Sequence, residues 1–174
     1  MKKHRILIIV GHPDTSSYCA SLAKSYHDSA QFQGHEVKWI ALSDLQFDPI
    51  LRSTSLTIQP LEKDLIDAQA AIQWASHMVF AYPIWWWGMP ALLKGFFDRV
   101  FLSGFAYRYR NKSIWWDKLL TGRSADLIVT LDTPAWYFRL IYRMPGHHQI
   151  KRTILHWCGI APIKLMDFSR IKSS

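Results

Sequence analysis

The chain of 174 residues contains only two cysteines, Cys19 and Cys158, and they do not form a CxxC pair. So few thiols exclude a protein that is stabilised by several disulfide bonds. They indicate free cysteines in a reducing compartment. The first apolar run covers residues 6–10 only, which is too short for a signal peptide. We therefore expect a cytoplasmic protein.

Long hydrophobic runs are also lacking. The uncharged stretch 78–93 is shorter than the roughly 20 residues that a membrane-spanning helix needs. Pro83, Gly88 and Pro90 interrupt it. We interpret this stretch as folded core and expect no insertion into a membrane.

Several catalytic and binding motifs are absent. No nucleophile elbow, HExxH sequence or paired-carboxylate motif supports a hydrolase. His147 and His148 have no third ligand at suitable spacing, so no metal site is expected. The net charge of +8 suits nucleic acids or small anionic ligands. No nucleic-acid motif accompanies the basic residues, so we do not expect a nucleic-acid partner.

Strand and helix patterns alternate along the chain. Short apolar or alternating runs predict strands at residues 5–10, 36–42, 77–82, 125–131 and 160–166. Helical patterns cover residues 17–32, 61–74, 90–102 and 147–157, whereas residues 43–60 and 104–123 are expected to be irregular. This alternation predicts an α/β fold with a parallel sheet covered on both faces. No repeat, linker or second domain is visible, so residues 1–174 are expected to form one domain.

The unusual residues follow the predicted strands, at the edge where ligands bind in such sheets. Three hydroxyl residues, from Thr15 to Ser17, come after the first strand and before the first helix. Hydroxyls and backbone N–H groups at a helix N-terminus can bind an anion. An ordinary helix cap would explain the same residues, and neither dinucleotide-binding glycines nor a P-loop lysine is present.

Three consecutive tryptophans, Trp85 to Trp87, stand between Pro83 and Pro90 after the third strand. Adjacent side chains in a turn cannot all point into one core. At least one flat ring should therefore line a cleft that suits a flat ligand. Packing of the turn on the next helix, or a subunit contact, is the structural alternative.

A third polar segment, residues 130–137, follows the fourth strand. A simple turn at Asp132 and Thr133 and a helix cap at His147 would explain the polar residues without any function. The segment nevertheless falls on the same sheet edge as the tryptophans and the hydroxyls.

Four stretches of the chain resemble the flavodoxin-like NAD(P)H:quinone oxidoreductases, the family of DT-diaphorase and of the quinone reductases associated with bacterial potassium efflux. They are Gly11–Pro13 with Ser17–Cys19; Leu45–Ile50; Pro83–Ala91 with Lys94–Gly95 and Asp98–Phe101; and Leu155–Gly159. The third stretch, with its tryptophan turn, is the most specific.

The resemblance implies a flavodoxin-like, five-stranded parallel sheet of order 2-1-3-4-5, a bound flavin and a homodimer. It also implies hydride transfer from NAD(P)H to the flavin, followed by two-electron reduction of a quinone or a similar acceptor in the same pocket. By this resemblance and by their place at the sheet edge, the following residues are predicted to bind the cofactor: His12, Ser16, Ser17, Tyr18, Cys19, Pro83, Ile84, Trp85, Trp86, Trp87, Thr130, Asp132 and Thr133.

Two departures from the family pattern stand out. Cys19 occupies a position where many relatives have Asn, which weakens one hydrogen bond near the phosphate. Residues 132–134 replace a Gly-Gly turn. We hypothesise that Tyr137 and His147 are the catalytic residues that stabilise charge on the reduced cofactor. FMN is favoured over FAD because the chain lacks the long C-terminal extension of larger FAD-binding relatives.

Three functional interpretations remain open from the sequence. The first is a flavin-dependent NAD(P)H oxidoreductase. The second is a flavin-bound ancillary or regulatory subunit docked on a membrane ion-efflux protein. The third is a one-electron carrier, which the basic charge disfavours because such carriers are usually strongly acidic.

Overall fold

The computed structural model describes residues 3–52 and 59–169. In chain order the strands are β1 (Arg5–Val10), β2 (Glu36–Ala41), β3 (His77–Pro83), β4 (Tyr107–Tyr109), β5 (Trp116–Lys118), β6 (Ser124–Leu131) and β7 (Ile163–Ser169). Five of them form one parallel sheet of order β2-β1-β3-β6-β7, and β4 pairs antiparallel with β5. The predicted α/β class and strand order are confirmed.

The helices are α1 (Tyr18–Phe32), α2 (Lys63–Trp74), α3 (Ala91–Val100), α4 (Ala135–Leu140), α5 (Pro145–His148) and α6 (His156–Cys158). A 3₁₀ turn at Leu42–Asp44 follows β2. A π-helical segment, Gln149–Leu155, joins α5 to α6.

Burial follows position in the sheet. Residues 6–10 of β1 and 78–83 of β3 are all buried, because helices cover both faces of these central strands. The edge strand β2 is mostly exposed. One face packs on α1 through the small residues Ala20, Ala23 and Ala30, and the other face packs on an aromatic cluster that includes Phe80, Phe96 and Phe97.

The connection after β2 is anchored by the fully buried Arg99. Its guanidinium donates to the carbonyl oxygens of Asp48 (2.6 Å) and Pro60 (2.7 Å) and to Glu62 Oε2 (2.8 Å). A Cβ on Gly95 would lie 2.5 Å from Pro49, so only glycine allows this approach. Part of the irregular connection predicted for residues 43–60 lies outside the described residues.

The structure differs from the sequence prediction mainly after β3. The segment 104–123, predicted to be irregular, contains the β4–β5 ribbon. The short helix α4 was not predicted, and the last helical segment begins at Pro145 rather than at His147. The ribbon strands have three residues each, which is too short for a hydrophobic period to identify.

Candidate functional site

A cleft opens at the carboxyl edge of the sheet, where β1, β3 and β6 end. It consists of two neighbouring cavities of about 210 and 220 Å³, which share Ile84, Leu131 and Asp132 as lining residues. We call the first cavity the polar end and the second the aromatic end. The polar end is lined in addition by His12, Ser17, Tyr18, Cys19, Pro83, Trp85 and Thr130, and the aromatic end by Trp86, Trp87 and Thr133.

The polar end is built on the N-terminus of α1. Ser17 is the N-cap, and its Oγ accepts a hydrogen bond from Ala20 N at 3.3 Å. Since the hydroxyl acts as the acceptor there, its proton stays available for a ligand in the cleft. The positive end of the helix dipole points the same way and favours an anion.

The loop before α1 is held by its own side chains. Asp14 Oδ1 accepts hydrogen bonds from Ser16 N (2.8 Å) and Ser16 Oγ (2.7 Å), and these bonds lower the pKa of the Asp14 carboxyl. Asp14 N in turn donates to His12 Nδ1 at 2.9 Å, and the same ring nitrogen lies 3.1 Å from Asp14 O. Ser16 therefore supports the loop and, of the predicted cofactor-binding residues, it alone does not line the cleft.

The floor of the polar end is buried and neutral. Cys19 Sγ lies 2.8 Å from Thr130 Oγ1, and both side chains are nearly inaccessible to solvent. Burial raises the pKa of the Cys19 thiol, and the hydrogen bond with Thr130 offsets this only in part. The floor of the polar end is thus an uncharged thiol paired with a hydroxyl.

The tryptophan turn forms the wall of the aromatic end. Trp85 N donates to Gly88 O at 2.9 Å and Gly88 N donates to Trp85 O at 3.0 Å, which closes a two-residue turn. Trp86 and Trp87 both have positive φ angles, 47° and 64°. Turns of this type normally use Asn and Gly, and a non-glycine residue in the left-handed region costs about 1 kcal/mol or more. Strain of this size at a cleft is an indication of function.

Tertiary packing stabilises the strained turn. The ring of Trp87 stacks on Tyr142 with centroids 3.7 Å apart, and Phe138 lies beyond it at 5.7 Å. Gly146 supports the turn from behind, since a Cβ there would lie 2.7 Å from Trp87 O. Trp86 is 98% exposed and has no such support. The turn is therefore fixed through Trp87 and presents Trp86 to the solvent.

Comparison with known proteins identifies the fold family. The family model for the flavodoxin-like fold matches residues 4–174. An uncharacterised NAD(P)H oxidoreductase of Haemophilus influenzae is 34% identical over 171 residues, which cover 95% of this chain and 83% of that protein. The chain belongs to the flavodoxin-like family.

A further relative, NAD(P)H dehydrogenase [quinone] 1 of Cavia porcellus, is 27% identical over 183 residues, with 89% of this chain and 64% of that protein covered. The chain spans only 47 to 64% of the first curated relatives that it matches. A further solved structure shares the fold: an FMN-dependent NADH-azoreductase of Bacillus anthracis in complex with FMN. Its TM-score is 0.73 at 19% identity, and 95% of this chain and 87% of that chain are covered.

The two predicted catalytic residues occupy different environments. Tyr137 is 36% exposed and lines neither cavity, and its ring lies edge-on to Tyr142 at 5.6 Å. His147 is only 3% exposed, lies under the edge of Phe138 and does not line either cavity. Its Nε2 lies 3.0 Å from Asp167 Oδ1, but neither ring nitrogen forms a hydrogen bond within the described residues. Their catalytic roles stay predictions.

Three residues around this site were not predicted from the sequence. Phe138 and Tyr142 are spaced by four positions, so the helical period could have placed them on one face. Asp167 approaches His147 from β7, twenty positions away along the chain. Its only sequence signal is a carboxylate between the apolar residues Met166 and Phe168, and this signal does not identify a partner.

Among the residues that the structure describes, no helix is long and apolar enough to cross a membrane. In the same residues no cluster of three or more His, Cys, Asp or Glu side chains could hold a metal ion.

Proposed function

We propose that the protein is a flavin-dependent NAD(P)H oxidoreductase that reduces a quinone or a similar acceptor, and that residues 1–174 form one flavin-binding domain. One observation carries this proposal. The cleft joins a helix N-terminus with an available hydroxyl to a strained turn that exposes aromatic rings. An anionic tail and a flat heterocycle are the two chemical parts that such a cleft fits.

The residues present fit a flavin mononucleotide. The phosphate would be held by the N-terminus of α1 and the Ser17 hydroxyl, with His12 beside it. The ring system would lie along residues 83–87 and against Trp86 or Trp87. Ligand pockets commonly enclose about 300 to 1,000 Å³, and the two cavities together reach only the lower part of that range. This size, and the FMN complex of the Bacillus anthracis azoreductase, favour FMN over FAD.

A bound flavin supplies two-electron chemistry, with NAD(P)H as the donor and the quinone as the acceptor. The side chains of this protein bind and orient. The buried pair of Cys19 and Thr130 keeps the polar end neutral, and the rings of the tryptophan turn provide a flat apolar wall for the donor and the acceptor. We infer a ping-pong order, because one cleft serves both: NAD(P)⁺ would leave before the acceptor enters.

We retain the proposal that Tyr137 and His147 stabilise negative charge that develops during reduction. Tyr137 would do so from its exposed position beside Tyr142, and His147 from beneath Phe138, where Asp167 Oδ1 lies 3.0 Å from its Nε2. A Tyr137→Phe/His147→Gln double variant should reduce the bound flavin more slowly than the wild type in stopped-flow measurements. A near-normal rate would contradict the proposal.

We further propose a cytoplasmic homodimer, as the family resemblance implies. Light scattering on a sizing column tests the dimer. No observation on the described residues favours the alternative of an ancillary subunit of a membrane ion-efflux system.

The proposed function is tested by purifying the protein, recording its visible spectrum and identifying the released chromophore. We expect a yellow protein that releases FMN and oxidises NAD(P)H when a quinone is added. A protein that remains colourless after incubation with FMN and FAD would contradict the proposal, and so would a yellow protein that does not oxidise NAD(P)H.

A further inference from the structure

An exposed apolar and basic surface borders the aromatic end of the cleft. We call it the basic aromatic face and define it by Trp136, Arg139, Leu140, Ile141 and Arg143. Its apolar members are unusually open: Leu140 is 67% exposed, Trp136 60% and Ile141 59%. Clustered exposure of large apolar side chains usually marks an interaction surface.

Ring contacts connect this face to the cleft. Trp136 meets Tyr137 at 5.6 Å, Tyr137 meets Tyr142 at 5.6 Å, and Tyr142 stacks on Trp87 of the turn at 3.7 Å. A shallow depression of about 660 Å³ lies between the turn and the loop after α4. Arg143 and His148 line it, and no carboxylate does. The face and the mouth of the cleft are therefore one continuous surface.

The charge of this region has one sign. Residues 133–166 contain no Asp or Glu, whereas they contain Arg139, Arg143, Lys151, Arg152 and Lys164. Both Arg139 and Arg143 are exposed, and neither forms an ion pair or a side-chain hydrogen bond with any residue in the described ranges 3–52 and 59–169. The positive charge is thus available to an external partner.

Large apolar side chains interleaved with arginines are typical of surfaces that lie on anionic lipid. Tryptophan in particular prefers the interface between lipid and water. A second copy of the chain fits this face less well, because a twofold contact centred there would bring arginines against arginines. We propose that the basic aromatic face docks the protein on the surface of an anionic lipid bilayer.

The docking also implies which class of acceptor the protein reduces, and this implication rests on the proposed function. Docking by this face would turn the mouth of the cleft towards the bilayer. The substrate would then be a quinone dissolved in the lipid rather than in water. The reaction balances as quinone plus NAD(P)H plus one proton giving hydroquinone plus NAD(P)⁺, with the proton taken from the aqueous side.

The docking is tested by co-sedimentation of the purified, flavin-loaded protein with vesicles. Vesicles of phosphatidylcholine alone are compared with vesicles that also contain phosphatidylglycerol. We expect binding to the anionic vesicles only, and release at high salt. An Arg139→Gln/Arg143→Gln variant should bind about tenfold to thirtyfold more weakly. A Leu140→Ser/Ile141→Ser variant tests the apolar part and should also bind more weakly.

The control is Lys24→Gln/Lys63→Gln, which removes the same charge from exposed residues of α1 and α2 and should leave binding unchanged. Equal binding to both kinds of vesicle, no binding to either, or the same loss in the control would overturn the docking. Loss of a dimer in the Arg139→Gln/Arg143→Gln variant, with unchanged vesicle binding, would assign the face to a second copy and overturn it too.

Activity separates this inference from the proposed function. With the arginine variant we expect normal turnover of a water-soluble quinone and slower turnover of a quinone held in anionic vesicles. Equal turnover of both by wild type and variant would overturn the lipid-dissolved substrate. If neither quinone is turned over but the vesicles still bind, the proposed function fails while the docking stands.

Discussion

The two ends of the cleft are held in place by different means. At the polar end, most of the supporting bonds lie within one short segment: Asp14 binds Ser16, His12 binds Asp14, and Ser17 caps its own helix. At the aromatic end the backbone of the turn is strained, and residues from distant segments hold it. The polar end is therefore encoded locally, whereas the aromatic end depends on the fold. Each prediction below separates these two cases.

The largest effect is expected at Gly146. In Gly146→Ala, the new Cβ would lie 2.7 Å from Trp87 O and 3.1 Å from Ile84 Cδ1. Such overpacking should lower the free energy of unfolding by about 2 to 3 kcal/mol and should also weaken flavin binding. Gly88→Ala is the control in the same turn, because its Cβ would find only ordinary contacts, the nearest at 3.9 Å. Equal losses in urea unfolding of the two variants would contradict this account of the aromatic end.

The second prediction concerns alkaline stability. Burial raises the pKa of Cys19 above its ordinary value of 9.0 and that of Cys158 to about 12. The unfolded chain therefore releases these protons first. This stability is complete below about pH 9 and is lost as the pH rises towards the folded pKa values.

At about pH 10 Cys158 should account for roughly 1 kcal/mol of lost stability, and Cys19 should contribute a loss of the same sign. Cys19→Ser should remove the part of the alkaline loss of stability that comes from the polar end. Cys158→Ser lies outside the cleft and should remove the part that comes from Cys158. The measurement is urea unfolding at a series of pH values. An unchanged pH slope in Cys19→Ser would show that the floor of the polar end is not a buried neutral thiol.

The third prediction tests the helix cap. Ser17→Ala removes the acceptor for Ala20 N and should cost about 1 kcal/mol in stability. It should also weaken FMN binding by about tenfold, because a hydrogen bond to a charged phosphate is lost. Ser17→Thr keeps the hydroxyl and should stay close to the wild type. Fluorescence titration gives the affinity, and an undiminished affinity in Ser17→Ala would remove Ser17 from the site.

The smallest effect is expected at Trp86. Because its φ is 47°, Trp86→Gly should be more stable than Trp86→Ala by about 1 kcal/mol. Trp85, whose φ is not positive, should show the opposite order between its Gly and Ala variants. Thermal unfolding of the four proteins makes the comparison. The same order at both positions would mean that the turn is not strained.

This contrast between the ends also explains how far the sequence could predict the structure. The buried runs of β1 and β3 follow from patterns within a few residues and were predicted. A helix cap was expected among residues 15–17, without a choice between them, and the structure shows it at Ser17. The helix α4 was missed because Asp132, Thr133 and Pro134 read as a loop, and the six helical residues that follow are too few for a clear period. The approach of Asp167 to His147 depends on the pairing of β6 with β7, which no local pattern encodes.

The positive φ angles of Trp86 and Trp87 could not be predicted from the sequence, for a related reason. Local preference opposes them, and only the stack on Tyr142 and the close approach of Gly146 make them stable. The sequence did predict that the three tryptophans would border a cleft. It did not predict that the turn would expose one ring almost completely.

The most direct test of the cleft as a flavin site is the ratio of the affinities for FMN and riboflavin, measured by quenching of flavin fluorescence on titration of the flavin-free protein. The two ligands share the ring and differ only in the phosphate. We expect both ligands to bind and their fluorescence to be quenched. FMN should bind about a hundredfold more tightly, because two charge-assisted hydrogen bonds at the polar end are worth about 3 kcal/mol. Equal affinities, or no binding of either ligand, would contradict it.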